Sequence, residues 1–247
     1  MSTTEAVFPV AILAGGLATR MHPVTQTIPK SLIEVARRPF VEHQLELLHA
    51  EGIKNVVLCV GYLGEMIESH VGDGRRFGLS VRYSFDGEKL LGTGGALRRA
   101  LPLLGDNFFV LYGDSYLEID YAAVQAAHRT SAKPALMTVF RNEGQWDTSN
   151  VLFDGARIVR YDKRSPTADM KYIDYGLGIL SSDLLKHRDD EAFDLADVYA
   201  ELVAGDRLAG FEATKRFYEI GTPSGLALTE AHLREKASKG KALKEKP

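Results

Sequence analysis

Between Leu13 and Lys30 the chain reads LAGGLATRMHPVTQTIPK: two adjacent glycines, Gly15 and Gly16, then Arg20 and Lys30, with no acidic residue in the interval. An apolar run, Val10 to Leu13, leads into the glycines. A strand that opens into a glycine turn exposes backbone N–H groups, and cations nearby add positive charge; together these can hold a polyphosphate. Arg20 offers a planar fork for phosphate oxygens. Lys30 follows Pro29, whose ring restricts the backbone and helps aim a flexible cation. The segment lacks the third glycine of a dinucleotide fingerprint, and no GK[ST] follows to make a Walker A loop. Spacing alone also allows a glycine-rich turn carrying two solvated charges.

Further along, FFVLYGD places Tyr112, Gly113 and Asp114 at the end of an apolar strand. A carboxylate at the carboxyl edge of an α/β sheet faces the crevice where ligands bind. Aspartate is also a suitable hard-oxygen ligand for Mg²⁺, which takes one or two carboxylates plus phosphate oxygens. A turn or helix-capping aspartate is the other reading. The cluster Leu91-Gly92-Thr93-Gly94-Gly95 reads by itself as a glycine turn starting a helix. His22, Trp146 and the remaining histidines have no metal-ligand spacing. The one cysteine, Cys59, lies inside VVLCVG and reads as a small buried hydrophobe.

The elements that must position these residues alternate in the first half as parallel β–α units. Strands are expected at 10–13, 55–60, 80–85 and 108–112, and helices at 39–51, 65–71, 94–103 and 121–130. The first helix places Val41, Leu45 and Leu48 on one face and should end at Gly52. In the second half, strands are expected at 135–141, 149–153, 157–161, 171–180, 208–213 and 216–220, with Asp154-Gly155 as a hairpin turn. Helices are expected at 194–204 and 223–238, the latter with Thr222 as N-cap and Pro223 in first position. The Lys-rich residues 239–247 read as a disordered tail. The 24 or so residues between Gly15 and Pro39 show no period, and a loop that long inside a compact domain is usually functional.

The expected fold is therefore α/β: a single Rossmann-like domain, 1–238, with a mixed, mostly parallel central sheet flanked by helices. Its nucleotide-binding half would be 7–131 and its substrate half 132–238. With 247 residues, 45% hydrophobic and 26% charged content, and a net charge of −3, the chain matches an ordinary globular protein. That charge does not advertise nucleic-acid binding, and no stretch approaches a membrane span. The N-terminus has no basic region before its short apolar run, so a signal peptide is not expected and the expected location is cytoplasmic. Self-association as a homo-oligomer stays open.

The segment GGLATRMHPVTQTIPKSLIEV resembles the signature of the sugar-1-phosphate nucleotidyltransferases, GGxGTRxxPxTxxxPKxLxxV. It departs at Ala18, where the family usually has glycine; if that position needs a positive φ, alanine costs roughly 1 kcal/mol. Four later motifs fall in the family's order, so the resemblance covers almost the whole chain. It implies that Leu13, Ala14, Gly15, Gly16, Thr19, Gly92, Thr93, Tyr112 and Gly113 bind the nucleotide, with Arg20, Lys30 and Asp114 as catalytic residues. Tyr161-Asp162-Lys163 resembles the family's EKP, with Lys163 reaching the sugar phosphate and Asp162 one methylene shorter than the usual glutamate. Asn150, Asp174 and Gly176 match positions that contact the sugar. Glu219, in YEIGTP, stands where relatives carry the second Mg²⁺ ligand beside Asp114, and is longer by one CH₂. The implied partners are an NTP and a sugar 1-phosphate, with Mg²⁺ as cofactor.

The LLGTGGAL segment and short single-domain form look most like the heptose- and mannose-1-phosphate guanylyltransferases, which points to GTP. Uridylyl- and thymidylyltransferases share the frame. A cytidylyltransferase acting on a non-sugar phosphate shares the N-terminal motif, but the sugar-side positions argue against it. A non-catalytic regulatory paralogue would typically lack the loop lysine or a metal carboxylate, and both are present here. No C-terminal β-helix is expected, and with it no acyltransferase activity.

Overall fold

The structure is a computed structural model that describes residues 6–188 and 191–244. Its elements in chain order begin with β1 (Val10–Leu13), β2 (Glu34–Val35), β3 (Arg38–Pro39), α1 (Phe40–Ala50), β4 (Asn55–Val60), α2 (Gly64–Val71), β5 (Ser80–Phe85) and α3 (Gly92–Leu104). There follow β6 (Asn107–Tyr112), β7 (Ser115–Tyr116), α4 (Tyr121–Ser131), β8 (Ala135–Arg141), β9 (Val151–Phe153) and β10 (Ile158–Tyr161). The chain closes with β11 (Tyr172–Ser181), α5 (Asp183–Lys186), α6 (Leu195–Ala204), β12 (Leu208–Ala213), β13 (Tyr218–Glu219) and α7 (Pro223–Lys244).

One nine-stranded sheet forms the middle layer, ordered β10-β9-β11-β6-β1-β4-β5, with β8 pairing β11 and β12 pairing β8. The strands β5, β4, β1, β6, β8, β12 and β9 run one way; β11 and β10 run the other. The sheet is therefore mixed and mostly parallel, as the sequence implies. The apolar runs VAIL, NVVLCV and NFFVLY are buried on both faces because helices cover both. Side chains alternate across the pleat. Val10, Ile12, Val56, Leu58 and Phe109 pack toward α1, α2 and α4, whereas Ala11, Val57, Cys59, Phe108 and Val110 pack toward α3 and α6. Val41, Leu45 and Leu48 of α1 are all buried on the sheet, and Gly52 follows the helix with φ +81°.

Two differences from the sequence reading have simple causes. The aperiodic stretch after Gly15 is built from three 3₁₀ turns, Thr19–Met21, Val24–Gln26 and Lys30–Leu32, and the β2–β3 hairpin. Units of two or three residues carry no period to read. The last helix does not stop at 238 but runs to Lys244, so residues 239–244 are helical rather than a disordered tail. Lys239 reaches back to Glu235 at 2.7 Å as an i,i+4 pair, and no proline interrupts the helix after its first position. Residues 245–247 of the expected tail lie outside the described residues. No helix among the described residues is long and apolar enough to cross a membrane.

Candidate active site at the junction of two clefts

β1 sits between β4 and β6, the place where the order of parallel strands reverses. Its carboxyl end opens into the glycine loop, and the loop is pressed against both neighbours. Ala14 N–H donates to the Cys59 carbonyl at 2.8 Å, and Gly113 N–H donates to the Leu13 carbonyl at 3.0 Å. A methyl group on Gly15 would lie 2.9 Å from the backbone nitrogen of Gly61, so only glycine lets these two turns meet. A first cleft is lined by Leu13, Ala14, Gly15 and Gly16, by Gly92 and Thr93, and by Tyr112, Gly113, Asp114 and Lys30.

The loop between the glycines and Lys30 is held by its own hydrogen bonds. Ala18 adopts the left-handed region at φ 50°, ψ 44°, and its carbonyl accepts from Met21 N–H and Thr25 Oγ1. The positive φ expected from the glycine usually found there is present, carried by alanine. Lys30 extends from its 3₁₀ turn to Asp114, Nζ to Oδ2 at 2.6 Å, with both side chains mostly buried. Asp114 itself is placed by two devices. Gln44 of α1, buried, donates to the carbonyls of Tyr112 and Ser115. The two-stranded ladder of β7 with β13 pairs Ser115 with Glu219, and Ile220 N–H donates to the Asp114 carbonyl at 3.0 Å.

That ladder brings together two carboxylates 105 residues apart in sequence. An added methyl at Gly221 would meet Asp114 Oδ2 and Glu219 Oε2 at 2.9 Å each, and Arg20 Nη2 at 3.2 Å. Glu219 also accepts from Gly221 N–H and from Thr222 Oγ1, the residue that in turn caps α7 by accepting from Gly225 N–H at 3.0 Å. Asp114, Glu219 and Arg20 line a second cleft that meets the first at Tyr112 and Asp114. Arg20 thus faces the second cleft, not the glycine loop's own cleft, and Thr19 lines neither.

The remaining predicted residues divide. Asn150, Lys163, Asp174 and Gly176 line the second cleft. Asp174 is nearly buried and fully engaged: it accepts from Gly176 N–H, Tyr112 OH and Tyr161 OH, and pairs with Lys163 Nζ at 3.0 Å. Burial acts to lower the Lys163 pKa, but Asp174 beside it outweighs this and holds the ammonium well above its ordinary range. Burial and the same carboxylate push the Tyr112 phenol up, so it stays protonated and donates. Asn150 anchors the network by accepting from Asp174 N–H through Oδ1 at 3.0 Å. Gly176 sits at φ +100° in an irregularity of β11, where a side chain would crowd Ser115 Oγ at 3.0 Å. Asp162 is not brought into this cleft. Its carboxylate accepts from Arg164 N–H and Ser165 N–H, shaping the turn after β10, and it lines a neighbouring depression instead.

Other residues reach the clefts from segments with no motif. Asp86, the residue after β5, lines the first cleft. Phe193 closes over the glycine cluster, its carbonyl accepting from Gly94 N–H and Gly95 N–H at 2.9 and 3.2 Å. Gly94 is small because an added methyl there would clash with the Phe193 ring. In a neighbouring depression that shares Arg20, Asp147 and Glu219 with the second cleft, the Arg216 guanidinium stacks between Trp146, 3.6 Å from its centroid, and Tyr218 at 4.5 Å. Nothing in local sequence pairs 146 with 216.

Residues 10–150 match the family described as Nucleotidyl transferase. The chain is 30% identical over 234 residues to N-acetylmuramate alpha-1-phosphate uridylyltransferase of Caulobacter vibrioides, covering 91% of this chain and 96% of that one. It is 37% identical over 114 residues to D-glycero-alpha-D-manno-heptose 1-phosphate guanylyltransferase of Campylobacter jejuni, covering 46% of this chain and 51% of that one. The crystal structure of HddC from Yersinia pseudotuberculosis complexed with GMP-PN superposes with a TM-score of 0.73 at 23% identity, over 92% of this chain and 99% of that one.

Proposed function

The chain belongs to the nucleotidyl transferase family, and we propose that it transfers a nucleotidyl group from GTP to a manno-configured sugar 1-phosphate, with release of pyrophosphate. Mannose 1-phosphate and D-glycero-D-manno-heptose 1-phosphate are the acceptors proposed. One observation carries the reading: the Lys30–Asp114 pair stands where the glycine-loop cleft meets the cleft of Lys163 and Asn150. A donor triphosphate in the first and a sugar phosphate in the second would meet at that pair.

The attacking phosphate oxygen is already an anion, so no general base is needed; the obstacle is bringing two anions together in line. The N–H groups of the glycine loop and the Lys30 ammonium would hold the triphosphate, with Lys30 beside the α-phosphorus where charge develops. Lys163, kept charged by Asp174, would hold the sugar phosphate, and Arg20 adds a cation on the same side. Asn150 Nδ2 donates to no protein group among the described residues and would serve a sugar hydroxyl. Asp114 and Glu219 fit Mg²⁺: two hard-oxygen carboxylates face one gap, and phosphate oxygens and water would complete the shell. Mg²⁺ bound there would neutralise and orient the phosphates.

A second reading, UTP with an N-acetylated sugar 1-phosphate, is favoured by the full-length similarity to the Caulobacter enzyme. A pyrophosphate-release screen of four NTPs against mannose, heptose, glucose and N-acetylmuramate 1-phosphates, and phosphocholine, with and without Mg²⁺, separates these. Mg²⁺-dependent release with GTP and a manno acceptor is the expected outcome. Release only with UTP favours the second reading, release only with phosphocholine removes the sugar assignment, and none at all contradicts catalysis.

A further inference from the structure

Resting on the reading of the second cleft as the sugar 1-phosphate site, we infer that this site extends past the sugar ring, where Arg216 selects an acceptor carrying a carboxylate over its neutral counterpart. A depression holding Trp146 and Arg216 opens beside the second cleft and shares Arg20, Asp147 and Glu219 with it. The two are continuous there, so a ring substituent of an acceptor held by Lys163 and Asn150 can pass from one into the other. Neither Trp146 nor Arg216 belongs to any motif in the sequence.

Arg216 is fixed in place but left chemically open. Its guanidinium lies between the rings of Trp146 and Tyr218, and Tyr218 stacks in turn on His232, centroid to centroid 3.9 Å. The Trp146 loop is braced by buried Asn142, which accepts from Trp146 N–H at 3.2 Å and donates to the Asp147 carbonyl at 2.6 Å. Rings on both faces leave only the edge of the guanidinium for hydrogen bonding. On that edge Nε donates weakly to the Phe217 carbonyl at 3.3 Å. Among the described residues no protein group accepts from either Nη, and no carboxylate pairs with Arg216. Trp146 is 44% exposed, so the stack is reachable from solvent.

The chemistry of that edge sets the guest. Two uncommitted Nη groups in a fixed plane match the two oxygens of a carboxylate. The first turn of α7, with Ser224 and Gly225 on the lining, adds the partial positive charge of a helix N-terminus. The two carboxylates on the same lining already accept from the protein. Asp147 accepts from Thr148 N–H at 2.6 Å, and Glu219 from Gly221 N–H and Thr222 Oγ1. Their charge makes a doubly charged phosphate a poorer guest here than a singly charged carboxylate. A neutral sugar leaves Arg216 without an anionic partner.

Calorimetric titration of the purified full chain with two acceptor pairs, in GTP and Mg²⁺, tests this: mannose against mannuronate 1-phosphate, and N-acetylglucosamine against N-acetylmuramate 1-phosphate. Each pair differs only in whether one ring substituent carries a carboxylate. In the wild type the acid member of at least one pair should bind at least ~10-fold more tightly, as a charge-assisted hydrogen bond implies. Arg216→Gln should bring that ratio to within ~3-fold of unity by weakening the acid member. Arg216→Lys keeps a cation but loses the fork; it should give an intermediate ratio, and it serves if the glutamine variant melts early. Trp146 is the chain's one tryptophan, so its emission reports on this depression and should change with the acid member. Equal binding within both pairs, a folded variant that keeps the wild-type ratio, or an acid member that binds without moving Trp146 emission overturns the inference and leaves the acceptor reading intact. Failure to bind any of the four removes the acceptor reading and the inference with it.

Discussion

At the scale of single residues, the charges at the cleft junction carry the largest expected effects. Lys30→Ala or Asp114→Ala should each lower turnover at least ~100-fold, the loss typical of one preorganised electrostatic partner, while circular dichroism shows a folded protein. Near-normal turnover in both would remove the pair from the chemistry. Ala18 is held at φ 50°, so Ala18→Gly should relieve about 1 kcal/mol of left-handed strain, partly offset by the freer unfolded chain. A melting temperature raised by about 1–3 °C is expected, and a fall would show that the methyl packs favourably. Burial raises the Asp86 pKa against the opposing pull of Leu91 N–H and Arg99. The glycines, Lys30 and Asp114 were legible because each lies in a dense local pattern. Asp86 was not: Gly15 and Gly61 approach it only when β1, β4 and β5 are side by side.

At the scale of elements, short ladders and close packing set the site. Strands β1, β4, β5, β8 and β12 begin and end where the sequence places them, since continuous apolar runs or clean alternation mark them. The β7–β13 ladder has two residues per strand and no period, although it decides where Asp114 and Glu219 sit. The glycine cluster has a second meaning that sequence could not give. Gly94 makes room for the Phe193 ring, and the Phe193 carbonyl satisfies the first N–H groups of α3. Gly94→Ala should therefore push residues 191–194 off α3, destabilise the fold by roughly 1–3 kcal/mol, and raise the nucleotide KM more than the sugar-phosphate KM. Equal changes in both constants would show that this contact does not shape the first cleft.

At the scale of the whole molecule, one sheet spans both halves of the chain, and β11 joins them by pairing with β6 on one side and β8 on the other. The α/β class and the mostly parallel order followed from β–α alternation and from helices needed on both faces. The meeting of two clefts at Tyr112 and Asp114 did not, because it depends on long-range order: β6 beside β1, and β13 folded back on β7. A donor and an acceptor phosphate are proposed to react across that junction without a covalent enzyme intermediate. Following the α-phosphorus of GTP by ³¹P NMR, with mannose or heptose 1-phosphate and Mg²⁺, tests it directly. The α-phosphorus signal should move to a sugar diphosphate as pyrophosphate appears in equal amount. Release of orthophosphate or free GMP in place of that pair, or an α-phosphorus signal unchanged with every NTP and sugar 1-phosphate tried, would contradict it.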